Sequence, residues 1–186
     1  MSNIKALSDK ASRISYFFSD VDGTLTNGTV LYSAQGEHLK QFSFRDGTGF
    51  HLLKKLGVTG GIITGENSDI VSRRAEKLKL SHCFLGIDNK LDFLNDFLHV
   101  QNCTLDNLAY IGDDLNDFAV LSNCGLSFCP NDAVDTIKKT VDIICKSNGG
   151  FGAFRDAVEQ LIYLKNKDLL DIFNQKNYND ERIGLL

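Results

Sequence analysis

The chain has 186 residues, 42% hydrophobic and 24% charged, enough for one well-buried domain and too few for two comfortable ones. Its formal net charge is −4 and its Lys and Arg residues are scattered, which excludes a basic footprint for nucleic acid, and no apolar run approaches the ~18 residues of a membrane span. Five cysteines (Cys83, Cys103, Cys124, Cys129, Cys145) form no CxxC pair and no metal-spaced Cys/His cluster, a usage that suits reduced thiols in a cytoplasmic protein.

Along the chain, "MSNIKALSDKASRISYFF" carries charges without a long apolar core and is not expected to act as a leader. Short runs rich in Ile, Val and Phe then alternate with amphipathic stretches of helical length, the pattern of a parallel sheet covered on both faces. Strands are expected at Ile14–Phe18, Gly60–Ile63, Cys83–Leu85, Leu108–Ile111, Leu126–Phe128 and Asp142–Ile144. Helices are expected at Gly49–Leu56, Asp69–Leu78 (with Ser68 as its cap), Lys90–Val100, Asn116–Ser122, Ala133–Lys139 and Phe154–Lys165. One segment breaks the alternation: "TVLYSAQGEHLKQFSF" reads as a hairpin of Thr29–Ser33 and His38–Phe44 turning at Gly36. A domain over 1–165, with residues 29–44 as a flap, is followed by a polar tail, 166–186, read as a frayed helix and an arm.

Ligands of open α/β sheets collect outside the carboxyl ends of the strands. Four motifs fall there. In "YFFSDVDGTLTNG", Asp20 and Asp22 end the first strand and Gly23 permits a tight turn. Two acids so close repel unless a cation sits beside them or one holds a proton. Magnesium, commonly held by one or two carboxylates together with substrate phosphate, resolves this; the alternative is an Asx turn with solvated acids. In "GIITGENS", Thr64 and Gly65 precede a helix whose free N–H groups can cradle a phosphate, although Thr-Gly is also an ordinary turn. Lys90 in "GIDNKLDF" stands at a helix start, where the macrodipole disfavours a cation, so either an anion is near or the lysine is solvated. In "YIGDDLNDF", Asp113, Asp114 and Asp117 crowd a strand end, more acids than one N-cap needs.

In this order the four motifs, DxDGT at Asp20–Thr24, Thr64, Lys90 and GDDxxD at Gly112–Asp117, resemble the haloacid dehalogenase-like phosphohydrolases. The resemblance implies a Rossmann-like three-layer sandwich, a magnesium cofactor and phosphoryl transfer to an aspartate. In that scheme Asp20 is the nucleophile and Asp22 the acid and base. Magnesium rests on Asp20, Asp113 and the carbonyl of Asp22, Thr64 with Gly65 and Lys90 holds phosphate, and Asp114 and Asp117 orient metal waters and Lys90. An acid at Asp22 points to a phosphatase, since superfamily dehalogenases lack it.

The absence of a cap domain, together with the hairpin, "FSFRDGTGF", "DNKLDFL" and "NGGFGAFRDAVE", resembles the branch acting on phosphorylated 3-deoxy-2-ulosonic acids, over about residues 13 to 163. That branch includes octulosonate 8-phosphate and nonulosonate 9-phosphate phosphatases, and it implies a homotetramer in which a neighbour closes each site. Arg45 and Asp46 match its "RDG", with a loop ion pair as the alternative. Glu66, Arg74 and Lys77 are candidates for the hydroxyls and carboxylate of a sugar acid, with a solvated helix face as the alternative. "TGE" with "RRAEKLK" looks more like nonulosonate members, octulosonate enzymes tending to carry Arg after the Thr-Gly. The competing classes are a phosphatase for another small metabolite and a non-catalytic oligomerisation module like that fused to acylneuraminate cytidylyltransferases.

Overall fold

The computed structural model describes residues 2–175. Helix α1 (Ser2–Arg13) leads into β1 (Tyr16–Ser19), and β2 (Leu31–Ser33) with β3 (Gly36–Leu39) forms a short ribbon. Alternation follows: α2 (Phe44–Leu56), β4 (Thr59–Ile63), α3 (Asp69–Lys77), β5 (His82–Phe84), α4 (Lys90–Val100), β6 (Leu108–Ile111) and α5 (Phe118–Asn123). The chain closes with β7 (Leu126–Cys129), α6 (Asp135–Lys138), β8 (Ile143–Ile144), α7 (Ala153–Leu164) and α8 (Leu169–Asn174). The sheet order is β5-β4-β1-β6-β7-β8 with every neighbouring pair parallel, while among the described residues β2 pairs only with β3. The fold is the covered parallel sheet that the alternation implies, with the hairpin that interrupts it as a separate ribbon, and it is the Rossmann-like α/β sandwich implied by the resemblance.

Strands buried on both faces need apolar side chains at successive positions, and β1 supplies them. Phe17 enters a core with Ile62, Ala109, Ile111 and Phe128 beneath α2 and α7, stacked on Phe128 and tilted against Phe154, each with ring centres 5.3 Å apart. Phe18 points the other way, into a core with Ile63, Leu108 and Tyr110 beneath α4 and α5, and stacks on Phe84. The central strand is thereby rigidly seated, and so is whatever follows it.

Several boundaries differ from the sequence expectation. The second ribbon strand, expected over His38–Phe44, ends at Leu39, because Ser43 caps α2 by accepting from the Arg45 amide and the helix starts at Phe44 rather than Gly49. Ser68 does not cap α3; its hydroxyl donates to Glu37 on the ribbon instead. Asp142 stays outside β8 because its carboxylate is taken by Ser127 and Lys10. A three-residue 3-10 turn, Leu115–Asp117, precedes α5. Helix α1 was not expected: Ala11 is buried and Leu7 half-buried in the core, too sparse a stripe to show as a period. Of the tail, α8 packs on α2 through buried Ile172, and the expected arm lies outside the described residues. All five cysteines are free, and among the described residues no helix is long and apolar enough to cross a membrane.

Candidate active site

Register builds the site. Ser19 of β1 lies opposite Ile111 of β6, so the residues that follow, Asp20 and Gly112-Asp113, leave the sheet side by side. The Asp20 amide donates to the Ile111 carbonyl at 3.0 Å, carrying the ladder one residue further and fixing the Asp20 backbone. β4 flanks β1 on its other side and delivers Thr64 to the same edge. From beyond β5, the first residue of α4, Lys90, reaches back with its ammonium 2.6 Å from Asp20 Oδ1 and 2.7 Å from Asp117 Oδ1. The anion implied by a cation at a helix start is therefore this pair of carboxylates.

Asp117 is the support of the cluster. It is fully buried: Oδ1 accepts from Lys90 and, at 2.6 Å, from the Tyr110 hydroxyl, and Oδ2 accepts from the Asp113 amide at 3.2 Å. Asp20, Asp113 and Asp117 each offer an oxygen within 4.8 Å of the others. Because Asp117 is spent on Lys90, Tyr110 and a backbone amide, Asp20 and Asp113 are the carboxylates able to hold a cation. Two carboxylates leave room for waters and a substrate oxygen, the coordination magnesium favours. Thr24 Oγ1 donates to Asp113 Oδ1 at 3.2 Å and steadies it.

Backbone placement is equally tight. Gly23 has φ +85°, and a Cβ there would lie 1.9 Å from Asp113 Oδ2; a Cβ on Gly112 would lie 2.3 Å from Asp117 Cγ. Both glycines are needed for the carboxylates to approach the chain this closely.

Charge in the cluster is unbalanced, with one ammonium facing several carboxylates. Burial and the nearby Asp117 push the Asp20 carboxyl up to about 8 against the pull of Lys90, and burial with Asp117 pushes Asp113 up to about 7. For Lys90 burial works downward, but Asp20 and Asp117 outweigh it and the ammonium is held above its usual range. The site thus fits a cation: without one, protons take its place. The sign of the linkage follows. Both folded pKa values exceed the unfolded one, so between about pH 4 and pH 8 the native state binds more protons, and metal-free stability falls as pH rises. Melting with a chelator is expected to drop from about pH 5 to pH 8, and excess magnesium to restore most at the alkaline end. A melting temperature indifferent to magnesium at the alkaline end contradicts a cation site.

The remaining candidates are placed as follows. Thr64 is buried, and its hydroxyl accepts from the Glu66 amide at 3.1 Å, shaping the loop in which Gly65 and Glu66 are exposed. Asp22 turns one carboxylate oxygen to Lys40 of the ribbon base, a residue the sequence reading passed over. Asp114 is exposed and its Oδ1 accepts from the Leu115 amide at 2.7 Å, opening the 3-10 turn. Asp46 faces the start of α7: its Oδ1 accepts from the Arg155 amide at 3.0 Å, where Gly152 gives that helix no side-chain cap. Arg74 donates to the Ser43 carbonyl at 3.0 Å and covers the Phe42 ring, tying α3 to the start of α2. Arg45 and Lys77 are exposed. Tyr110 was also passed over, since a tyrosine inside an apolar strand reads as core.

A family model described as haloacid dehalogenase-like hydrolase matches residues 86–154. The chain is 34% identical over 161 residues to the 3-deoxy-D-manno-octulosonate 8-phosphate phosphatase of Haemophilus influenzae, covering 87% of this chain and 89% of that one. Among solved structures it is similar to the Moraxella catarrhalis 3-deoxy-D-manno-octulosonate 8-phosphate phosphatase in complex with magnesium, phosphate and KDO, at TM-score 0.82 and 35% identity over 86% of this chain and 92% of that one. It is also similar to the cobalt-bound Haemophilus influenzae enzyme, at TM-score 0.83 and 34% identity over 89% and 99% of the two chains.

Proposed function

The chain belongs to the haloacid dehalogenase-like hydrolases, and on that premise we propose that it is a magnesium-dependent phosphatase for a 3-deoxy-2-ulosonic acid phosphate, with 3-deoxy-D-manno-octulosonate 8-phosphate as substrate. The observation that carries this reading is the convergence of Asp20, Asp113, Asp117 and Lys90 at the carboxyl ends of β1 and β6. A scaffold has no use for buried acids that repel one another.

In this reading Asp20 attacks phosphorus, forming a P–Oδ bond as the bond to the sugar oxygen breaks. Asp22 gives its proton to the departing alkoxide, then takes one from the water that attacks the aspartyl phosphate and frees Asp20. Thr64, the amides at Gly65 and Lys90 hold the phosphate oxygens, where stabilising charge contributes most. Asp20, Asp113 and the Asp22 carbonyl would hold magnesium, which would supply the positive charge that lets an anion approach an anion. Asp117 aims Lys90, and Asp114 orients waters at the metal. Arg45, Asp46, Glu66, Arg74 and Lys77 are assigned to the sugar-acid side, with Glu66 best exposed for it.

The test is phosphate release from octulosonate 8-phosphate, a nonulosonate 9-phosphate and an aryl phosphate, with magnesium and with a chelator. Release is expected to be metal-dependent and fastest on the octulosonate ester. A higher kcat/KM on the nonulosonate ester transfers the substrate to the nine-carbon class that "TGE" resembles, and no release from any ester refutes the reading. The assembly we assign is a homotetramer joined through the ribbon, which exposes Leu31, Tyr32 and Leu39, at 55%, 71% and 54%. Sedimentation is expected to give four chains; a monomer of full activity removes that assignment.

A further inference from the structure

The ribbon touches the catalytic loop through one buried cation. Lys40 follows β3, its side chain is 3% exposed, and its ammonium bonds Asp22 Oδ1 and, at 3.1 Å, Glu37 Oε1. The other oxygen of Glu37 accepts from Ser68 Oγ, at the entry to α3. Asp22 Oδ2 is buried and, among the described residues, accepts no hydrogen bond.

Anchoring a ribbon does not require this. An apolar side chain at position 40 fills the same space without desolvating an ammonium, whereas a buried cation is retained at a cost that only well-placed partners offset. What the lysine adds is direction. With Oδ1 clamped, the Asp22 carboxyl cannot spin about its Cβ–Cγ bond. Catalytic proton transfer demands a donor atom held within hydrogen-bond reach of its target.

We propose that Lys40 is a positioning residue: by clamping Asp22 Oδ1 it holds the Asp22 carboxyl in one orientation for proton exchange with the leaving oxygen of the substrate, which makes the ribbon part of the catalytic apparatus. This rests on the phosphatase reading above. Lys40 itself touches no reacting atom. Glu37 keeps Lys40 from swinging to solvent, and Ser68 ties Glu37 to the loop that carries Thr64.

The experiment compares leaving groups. A sugar alkoxide needs a proton as it departs, whereas 4-nitrophenolate leaves almost unaided. In Lys40→Met, kcat/KM for octulosonate 8-phosphate is expected to fall about a hundredfold, against only a few-fold for 4-nitrophenyl phosphate. Lys40→Arg, which keeps the charge and the donor, is expected to recover most of the loss. Amide exchange supplies a readout independent of activity: residues 29–41 exchange faster in Lys40→Met while the sheet strands keep their protection. Should Lys40→Met fail to fold, Lys40→Gln, uncharged and too short to keep the clamp on Asp22, is held to the same comparison of esters. An equal loss on both esters, or no loss on either, overturns the inference while leaving the phosphatase reading in place. A wild-type protein inactive on both esters overturns that reading and this inference with it.

Discussion

Asp20→Asn is expected to abolish phosphate release, by about 10⁴-fold or more, without loss of the folded state. The amide has nearly the shape of the carboxylate and can still accept from Lys90, but it is a poor nucleophile towards phosphorus. Stability is expected to move the opposite way from activity. In the metal-free protein Asp20 is held near 8 by burial and by Asp117, so a neutral side chain there relieves strain. A chelated Asp20→Asn protein is therefore expected to melt no lower than wild type and, above about pH 7, higher. Melting and phosphate release on one preparation check both halves. An active variant refutes the nucleophile, and a variant that unfolds leaves Asp20 a structural residue.

Lys90→Met carries the second large effect, and here stability and activity fall together. The substitution matches the stem of the side chain while removing the ammonium, so above about pH 8, where Asp20 is ionised, Asp20 Oδ1 and Asp117 Oδ1 face each other with no cation between them. Removing one partner of a buried ion pair costs about 3–5 kcal/mol, because the remaining charges have lost their solvation and gained nothing. For a domain of this size that is a drop of roughly 10 °C in melting temperature. Tyr110 still donates to Asp117, so part of the cluster survives. Excess magnesium is expected to restore some of the melting temperature, since a cation on Asp20 and Asp113 reduces the same repulsion, but no activity, on the role at the phosphate proposed for Lys90. Melting curves with and without magnesium check this; a variant as stable as wild type in chelator means that Lys90 does not hold the acids together.

The contrast between Asp20 and Asp46 shows what was legible before the structure. Asp20 and Asp113 sit at strand ends in the sequence, and the rule that parallel strands deliver their carboxyl ends to one edge brings them together. The register of β1 on β6 added only the distance. Asp46 in "RDG" left a ligand role and a loop ion pair both open; its carboxylate meets the Arg155 amide at the start of α7, more than a hundred residues away, and no local pattern announces that partner. Arg74 is similar: its helical spacing with Lys77 is real, yet Phe42 and the Ser43 carbonyl take its guanidinium.

Residues passed over follow the same logic. Tyr110 alternates with core side chains and differs from them only in a hydroxyl that meets Asp117. Lys40 closes a hairpin strand, where a lysine ordinarily faces water, and the spacing Glu37-x-x-Lys40 was the one available sign of pairing. Ser43 read as part of the hairpin strand but caps α2, whereas α3 starts at Asp69 as expected while Ser68, its expected cap, serves the ribbon instead.

The central claim is that Asp20 carries the phosphoryl group between substrate and water. Its most direct test is an acid quench of the Asp22→Asn protein reacting with 4-nitrophenyl phosphate and magnesium, an ester whose leaving group departs without the proton Asp22 supplies, followed by peptide mass analysis. The account predicts a phosphoryl group on the peptide that contains Asp20, lost when a chelator is present from the start. Phosphate released at every quench time with Asp20 never modified, or a phosphoryl group found on a different residue, contradicts it.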